Sequence, residues 1–257
     1  MLSRVADNLY WMSRYLERAE HSARLLSVHL NLVLDLSDTA AQARRNRMLT
    51  LLNAPIERVT DDDELFHVLA FEPSNPNSIL TGVRAARENA RQVREQINQE
   101  MWQELNELYL RVGSADHSLD WTERNIELCE DVIERAQLFT GITDATMNHG
   151  QGWQFIQVGR NLERSDATAR MLDLESRVLW VKPESRLNAG QPVFLEWLAL
   201  LRSCAAFEAY SKIYTFDVQP TSIAEFLLLN GEFPRSAAFS IAAIHNALGA
   251  ISESTGA

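Results

Sequence analysis

Apolar residues recur along this chain at helical spacing. Leu2, Val5, Leu9, Met12, Leu16, Ala19, Ala23, Leu26 and Leu30 step by three and four, which marks one face of an α-helix at about 100° per residue. The spacing predicts a first helix from about Ser3 to Leu36, broken by Asp35 to Thr39. A shorter one follows from Ala41 to Asn53, ended by Pro55. Thr60 or Asp61 offers an N-cap to a helix through Leu65, Val68 and Leu69, with acids in its first turn. Phe71-Glu-Pro-Ser-Asn-Pro-Asn reads as a turn. Ser78 to Val112 is the longest periodic segment, with Ile79, Val83, Ala86, Ala90, Val93, Ile97, Met101 and Leu108 on one stripe. Gly113-Ser-Ala-Asp interrupts the pattern, and Ser118 to Phe139 resumes it through Ile126, Cys129, Ile133 and Ala136.

Gly141 to Gly152 reads as a long loop with one helical turn at Asp144 to Met147, followed by a helix from Trp153 to Leu179 and a polar crossover from Lys182 to Pro192. Helices at Val193 to Thr215, Ser222 to Leu229 and Arg235 to Ile251 complete the chain, punctuated by Pro220, Asn230-Gly231 and Pro234. No convincing alternating strand is present. The expectation is an all-α protein, a multi-helix antiparallel bundle of roughly seven to nine helices in one domain, 1–257.

One stretch occurs twice. Arg14 to Leu26 reads RYLERAEHSARLL, and a shift of 146 residues gives RNLERSDATARML at Arg160 to Leu172. Seven of thirteen positions are identical, including Arg14/Arg160, Glu17/Glu163, Arg18/Arg164 and Arg24/Arg170. Packing alone would repeat apolar positions but not charges in register, so the repeat predicts two related helices facing each other.

On the first helix Arg14, Glu17, His21 and Arg24 lie opposite the core stripe, beside Tyr10, Leu25 and Val28. On the second, Val158, Leu162, Ala169 and Leu172 form the predicted core stripe, with Ile156, Arg160, Glu163, Ala167, Arg170 and Met171 opposite. A solvated face seldom carries so much apolar area, which predicts helices covered on both sides. Exposed i,i+3 and i,i+4 pairs worth about 0.2–0.5 kcal/mol each are the simpler account. A shielded ionic network between the two helices is the reading favoured here, because charges removed from water must pair.

The net charge of −11 argues against a general nucleic-acid or anionic-membrane binder. Only two of the 24 basic residues are lysine, Lys182 and Lys212; arginine forms the bidentate carboxylate pairs such a network uses, although base composition explains the bias equally simply. Cys129 and Cys204 are the only cysteines and imply neither a disulfide framework nor a metal site. The start shows no signal peptide and no stretch reaches membrane-spanning length, so the expected compartment is the cytoplasm.

Candidate chemistry is sparse. Arg84, Arg87, Arg91 and Arg94 form one stripe beside Glu88 and Glu95. They read either as a solvated row with local partners, or as a row facing Glu17, Glu163 or Asp166 with guanidiniums free for a carboxylate or phosphate. Glu64 and His67 make the only Glu-x-x-His, where a di-metal bundle needs two. His21 lies four residues after Glu17, within reach of a hydrogen bond. Asp144, Asn148 and His149 in the predicted loop are candidate ligand contacts, or Asp144 is a helix cap. Trp102, Trp121, Trp153, Trp180 and Trp197 read as core, and Trp11 as a candidate interface residue. Phosphate-loop, zinc-site and serine-hydrolase signatures are absent, and no cofactor or metal is expected.

YLERAE and NLERSDATAR, with DNLYW and TDATM before them, SNPNSI, ARENAR and EMWQELNELYL in the middle, and EAY and AEFLLLNGEFPRS near the end, resemble the bacterial alpha-E family over essentially the whole chain. Members of that family usually continue for a few tens of residues, so the resemblance implies a last helix or two that 1–257 does not contain. Alpha-E proteins accompany circularly permuted ATP-grasp ligases, often with transglutaminase-like peptidases. The resemblance therefore implies an accessory protein that docks on such a ligase and helps hold a peptide or amino-acid substrate. In that role Glu17/Arg18 and Glu163/Arg164 would fix the bundle or contact the substrate. The alternatives are an enzyme acting on peptide or amide intermediates through its Glu–Arg pairs, and a self-associating structural bundle. A sealed network would favour a scaffold, and an open cavity lined by the motif an enzyme or substrate holder.

Overall fold

The computed structural model describes residues 1–34, 36–54, 59–115, 122–179, 193–215 and 217–256. These hold eleven helices: α1 Ser3–Val33, α2 Asp38–Leu51, α3 Asp62–Ala70, α4 Ile79–Gln92, α5 Gln99–Ser114, α6 Thr122–Thr146, α7 Gln151–Leu179, α8 Val193–Ser203, α9 Phe207–Tyr214, α10 Pro220–Leu229 and α11 Ala237–Thr255. No described residue is in a strand. No described helix is long and apolar enough to cross a membrane. Trp121, Trp180 and the Lys182 to Pro192 crossover lie outside the described residues.

α1 is the hub, packing against α4, α6 and α7 and touching α2, α3 and α8. Its expected stripe from Leu9 to Leu30 is buried, and so are Glu17, Glu20 and His21 on the other side, so α1 is covered all round as its mixed faces predicted. Gly82 marks the crossing with α4, where a Cβ would sit 3.3 Å from both Ala19 Cβ and the Tyr15 carbonyl oxygen. α11 packs along α7, with Thr168 donating to the Arg235 carbonyl at one end and Gln151 to Ser254 at the other.

The count exceeds seven to nine because two predicted helices are each broken once. The segment from Ser78 to Val112 folds into a hairpin of α4 and α5, turned at residues 93–98. Asn98 starts α5 by accepting the Met101 N–H at 2.8 Å, a cap that outweighs continued periodicity. All eight stripe residues are nevertheless buried, because the turn keeps Val93 and Ile97 against the same core. Val193 to Thr215 divides at Ala205, whose φ of 51° is left-handed. The predicted loop from Gly141 to Gly152 is shorter than expected, since α6 continues to Thr146 and only residues 147–150 connect it to α7. The start of α3 is held by two caps: Asp61 accepts the Glu64 N–H (2.8 Å) and Glu64 accepts the N–H of Thr60, the residue before the cap (2.7 Å).

On α7 the expected faces are exchanged at several positions, although Leu172 of the expected core stripe is buried and Arg170 of the opposite face is exposed. Leu162 and Ala169 are exposed, whereas Ile156, Arg160, Glu163 and Met171 are buried. The Glu–Arg face is the one α7 turns toward α1, because its charges find partners there.

Candidate functional site: a duplicated Glu–Arg pair, sealed on one side and open on the other

α1 and α7 lie in register and run in the same direction. The Met1 ammonium donates to Gln151 Oε1 (2.8 Å), and a Cβ built on Gly152 would sit 3.2 Å from Leu9 Cδ1. Further along, Gly159 meets Tyr10 and Ser13. A Cβ on Gly159 would fall on the Tyr10 carbonyl oxygen and Ser13 Oγ, so only glycine permits this approach. Ser13 is the position that Gly159 matches in the repeat, and the helices cross there.

One turn beyond the crossing, Arg18 Nε donates to Glu163 Oε1 (2.6 Å) and its Nη2 to Oε2 (3.0 Å). In return Arg164 Nε donates to Glu17 Oε1 (2.7 Å). A contact between i and j answered by one between j and i is the mark of a two-fold axis. Here the axis is local, relates α1 to α7, and runs along them.

Away from that exchange the halves differ. On one side Glu17 also takes Arg235 Nη1 (3.0 Å). Glu20 takes Arg235 Nη2 (2.6 Å) and Arg24 Nη2 (2.6 Å). Arg160 turns to Asp144 of α6 (3.2 Å), which also accepts from Trp153 Nε1 and Gln157 Nε2 at 3.1 Å each. Burial alone would raise the Glu20 carboxyl, but Arg235 and Arg24 hold it down at about 2. This half is filled by protein.

On the other side Glu163 takes Arg14 Nε (2.8 Å), while Arg14 Nη1 donates to Tyr10 Oη (2.9 Å) and the guanidinium lies over the Trp11 ring. Among the described residues Asp166 pairs only within its helix, with Arg170 (2.9 Å). These groups open into a cavity of about 360 Å³, whose walls include Arg14, Arg18, His21, Glu163, Asp166, Ala167 and Arg170, closed by Thr50 to Asn53 at the end of α2 and by Asn77. Its size lies within the ~300–1,000 Å³ of small-ligand pockets. Burial would raise the Glu163 carboxyl, yet Arg18 and Arg14 outweigh it and hold it below the usual range. His21 is lowered to about 4, first by burial and then by Arg235, so its ring is neutral at neutral pH. It makes no hydrogen bond to any described residue.

The remaining candidates lie elsewhere. The α4 arginines do not join the network: Arg91 pairs with Glu88 in solvent (2.7 Å), and Arg84 is exposed. Arg87 donates to Asn106 (2.8 Å) and lies over Tyr109 and Trp102, while Arg94 lies over Trp102. These two find aromatic faces on α5 because the hairpin brings that helix alongside. Asp144 is a clamp from α6 to α7 rather than a loop contact, and His149 stacks on Trp153 (centroids 4.1 Å apart); neither they nor Asn148 line the cavity. Glu17 and His21 form no hydrogen bond, since Glu17 is taken by Arg164 and Arg235. His67 is exposed and tilted against Phe71. Among the described residues no group of three or more His, Cys, Asp or Glu is placed to hold a metal ion.

Sequence reasoning missed Arg235 as the residue that fills one half. It also missed a second buried cluster, in which Arg44 and Arg47 of α2 meet Glu196 of α8 and Arg47 reaches Glu175 of α7 (3.5 Å). Beside it Asp62 accepts from Arg45 (3.0 Å) and pairs with His29 Nε2 (2.8 Å). A lone glutamate inside the apolar run Val-Phe-Leu-Glu-Trp-Leu was the available signal for Glu196.

The geometry defines an all-helical domain organised on a reciprocal, largely buried Glu–Arg exchange. The chain belongs to the Alpha-E family, described as a predicted alpha-helical domain with a conserved ER motif, whose model matches residues 1–257. The motif is present twice here, as Glu17-Arg18 and Glu163-Arg164. The chain is also similar to an uncharacterised protein of Mycobacterium bovis (24% identical over 268 residues) and to one of Mycobacterium tuberculosis H37Rv (23% identical over 268 residues), each alignment covering 93% of this chain. It spans 28% of the length of these relatives. No solved structure matches it.

Proposed function

We propose that this domain is an accessory, substrate-holding partner of an ATP-grasp amide ligase in the bacterial cytoplasm, presenting a peptide or amino acid for ligation or modification. The observation that supports this reading is the cavity into which one half of the Glu–Arg motif opens. Arginines and carboxylates on its wall offer complementary charge to both ends of an amino acid or peptide, and neighbouring amides supply hydrogen bonds.

Acid–base catalysis by the same groups is less well supported. A general acid or base works best with a pKa near the operating pH, whereas Glu163 and Glu20 are shifted the opposite way by their guanidiniums. Carboxylates held ionised in this way suit binding and positioning. The test is co-purification of the chain with an ATP-grasp ligase encoded beside it, followed by ligation with and without the chain. The expected result is a stable complex and faster amide formation; a ligase that neither binds the chain nor changes rate overturns the reading.

A further inference from the structure

The local two-fold axis makes the filled half a template for the empty one. Under the 146-residue shift the cavity residues Arg14, Arg18, His21, Glu163, Asp166 and Arg170 correspond to Arg160, Arg164, Ala167, Glu17, Glu20 and Arg24. Apart from His21 and Ala167, each charge is matched by the same charge. The protein adds two groups to the filled half. The Arg235 guanidinium bridges Glu17 and Glu20, and the Asp144 carboxylate meets Arg160. Neither has a counterpart among the described residues of the open side. There Arg14 takes the second place at Glu163, no described guanidinium bridges Glu163 to Asp166, and the Nη groups of Arg14 meet no described carboxylate, whereas those of Arg160 meet Asp144.

We propose that the cavity binds a small zwitterion, an amino acid or short peptide, with its ammonium between Asp166 and Glu163 and its carboxylate on Arg14. This rests on the substrate-holding reading and assigns its poles.

Three further observations fit. The wall carries three arginines against two acids, so a cation alone would enter a site that is already positive. Arg14 Nη2 makes no hydrogen bond to a described residue, and Asp166 is 40% exposed, so both poles are accessible. His21 borders the cavity, is 8% exposed and makes no hydrogen bond to a described residue; as a neutral imidazole it can accept a hydrogen bond from an ammonium. A buried polar ring without a protein partner is costly unless a ligand or water supplies one.

The probes are L-alanyl-L-alanine, its N-acetyl derivative, its C-terminal amide, and acetate, titrated by calorimetry into the 1–257 chain. The dipeptide is expected to bind, and each cap to weaken it at least about tenfold, the effect of losing one charge-assisted contact. Asp166→Asn, whose parent side chain pairs with the exposed Arg170, is expected to keep the wild-type circular dichroism spectrum. It is expected to lose the dipeptide's advantage over the N-acetyl form. Equal binding of the N-acetyl and parent dipeptides, binding of acetate as tight as the dipeptide, or no dipeptide binding would each overturn the assignment. Ligase co-purification is read on the same samples. If the ligase is retained while dipeptide binding ignores the caps, the site assignment falls and the accessory reading stands. If the dipeptide discriminates as expected and no ligase is retained, the site stands and the accessory reading falls.

Discussion

Replacing Glu17 and Glu163 separately by glutamine measures how differently the two halves are built. The carboxylates are about equally hidden, with side chains 5% and 7% exposed, and each holds two arginines from other segments or helices. Around Glu17 both guanidiniums are enclosed, Arg164 and Arg235 at 13% each. Around Glu163 they face the cavity, Arg14 at 16% and Arg18 at 23%. Removing one member of a buried ionic pair costs about 3–5 kcal/mol because the remaining charge stays out of water. Glu17→Gln is therefore expected to cost about that much. In Glu163→Gln, cavity water can hydrate the released guanidiniums, so the cost is expected to fall to about 1–3 kcal/mol. At about 2–4 °C per kcal/mol for a chain of this size, Glu17→Gln lowers Tm by on the order of 10 °C. Urea unfolding followed by circular dichroism gives both values, and a cycle with Arg164→Gln is expected to show coupling of about 0.5–3 kcal/mol with Glu17. If Glu163→Gln costs as much as Glu17→Gln, or if the Glu17 and Arg164 effects simply add, the sealed-and-open account is wrong.

Glycine substitutions separate crossing from surface. Gly159→Ala is expected to destabilise by about 1–3 kcal/mol through collision with Tyr10, whereas Gly141→Ala on the exposed side of α6 is expected to gain about 0.5–1 kcal/mol of helix propensity; thermal melts decide. Acid should unfold the chain in two stages. The folded His21 pKa of about 4 lies below its free value of 6.5, so stability falls as pH drops from 6.5 to 4, where the unfolded chain binds the proton first. Glu20, at about 2 against 4.5, adds a loss between 4.5 and 2, and urea midpoints of His21→Asn are expected to show a smaller upper stage, the remainder belonging to His29, which burial also lowers. Glu196→Gln is expected to cost about 3–5 kcal/mol by stranding Arg44 and Arg47, read by the same melts. A cycle on Arg91 and Glu163 is expected to show no coupling.

The repeat was legible because charges recurred in register, which core packing does not require, and the network followed from it. Helix identity was legible from periodicity, and the cap of α3 was legible to within Thr60 or Asp61, of which Asp61 caps. The α4–α5 break was masked because Val93 and Ile97 keep the apolar spacing through the turn, although Asn98 carried the signal. The bend at Ala205 had no local sign, since alanine rarely takes positive φ and tertiary packing imposes it. The faces of α7 were misjudged because hydrophobicity was weighed over charge, while the buried side is the one whose charges are satisfied by α1. Arg235 and Asp144 were not legible as the fillers of one half. Their partners lie far away in sequence or on another helix, so only the folded arrangement brings them together.

The parallel course of α1 and α7 has a price in time. Helices that run the same way cannot be joined by a tight turn, and here the matching halves stand 146 residues apart. At ribosomal rates of about 5–20 residues per second, α1 emerges roughly 7–30 s before Arg164, the α7 partner of Glu17. During that interval Glu17 lacks its α7 partner, and Arg235, which bridges Glu17 and Glu20, is made later still. A nascent chain halted before Arg160 would present Arg14, Glu17, Arg18 and Glu20 of α1 without the α7 groups and Arg235 that pair with them.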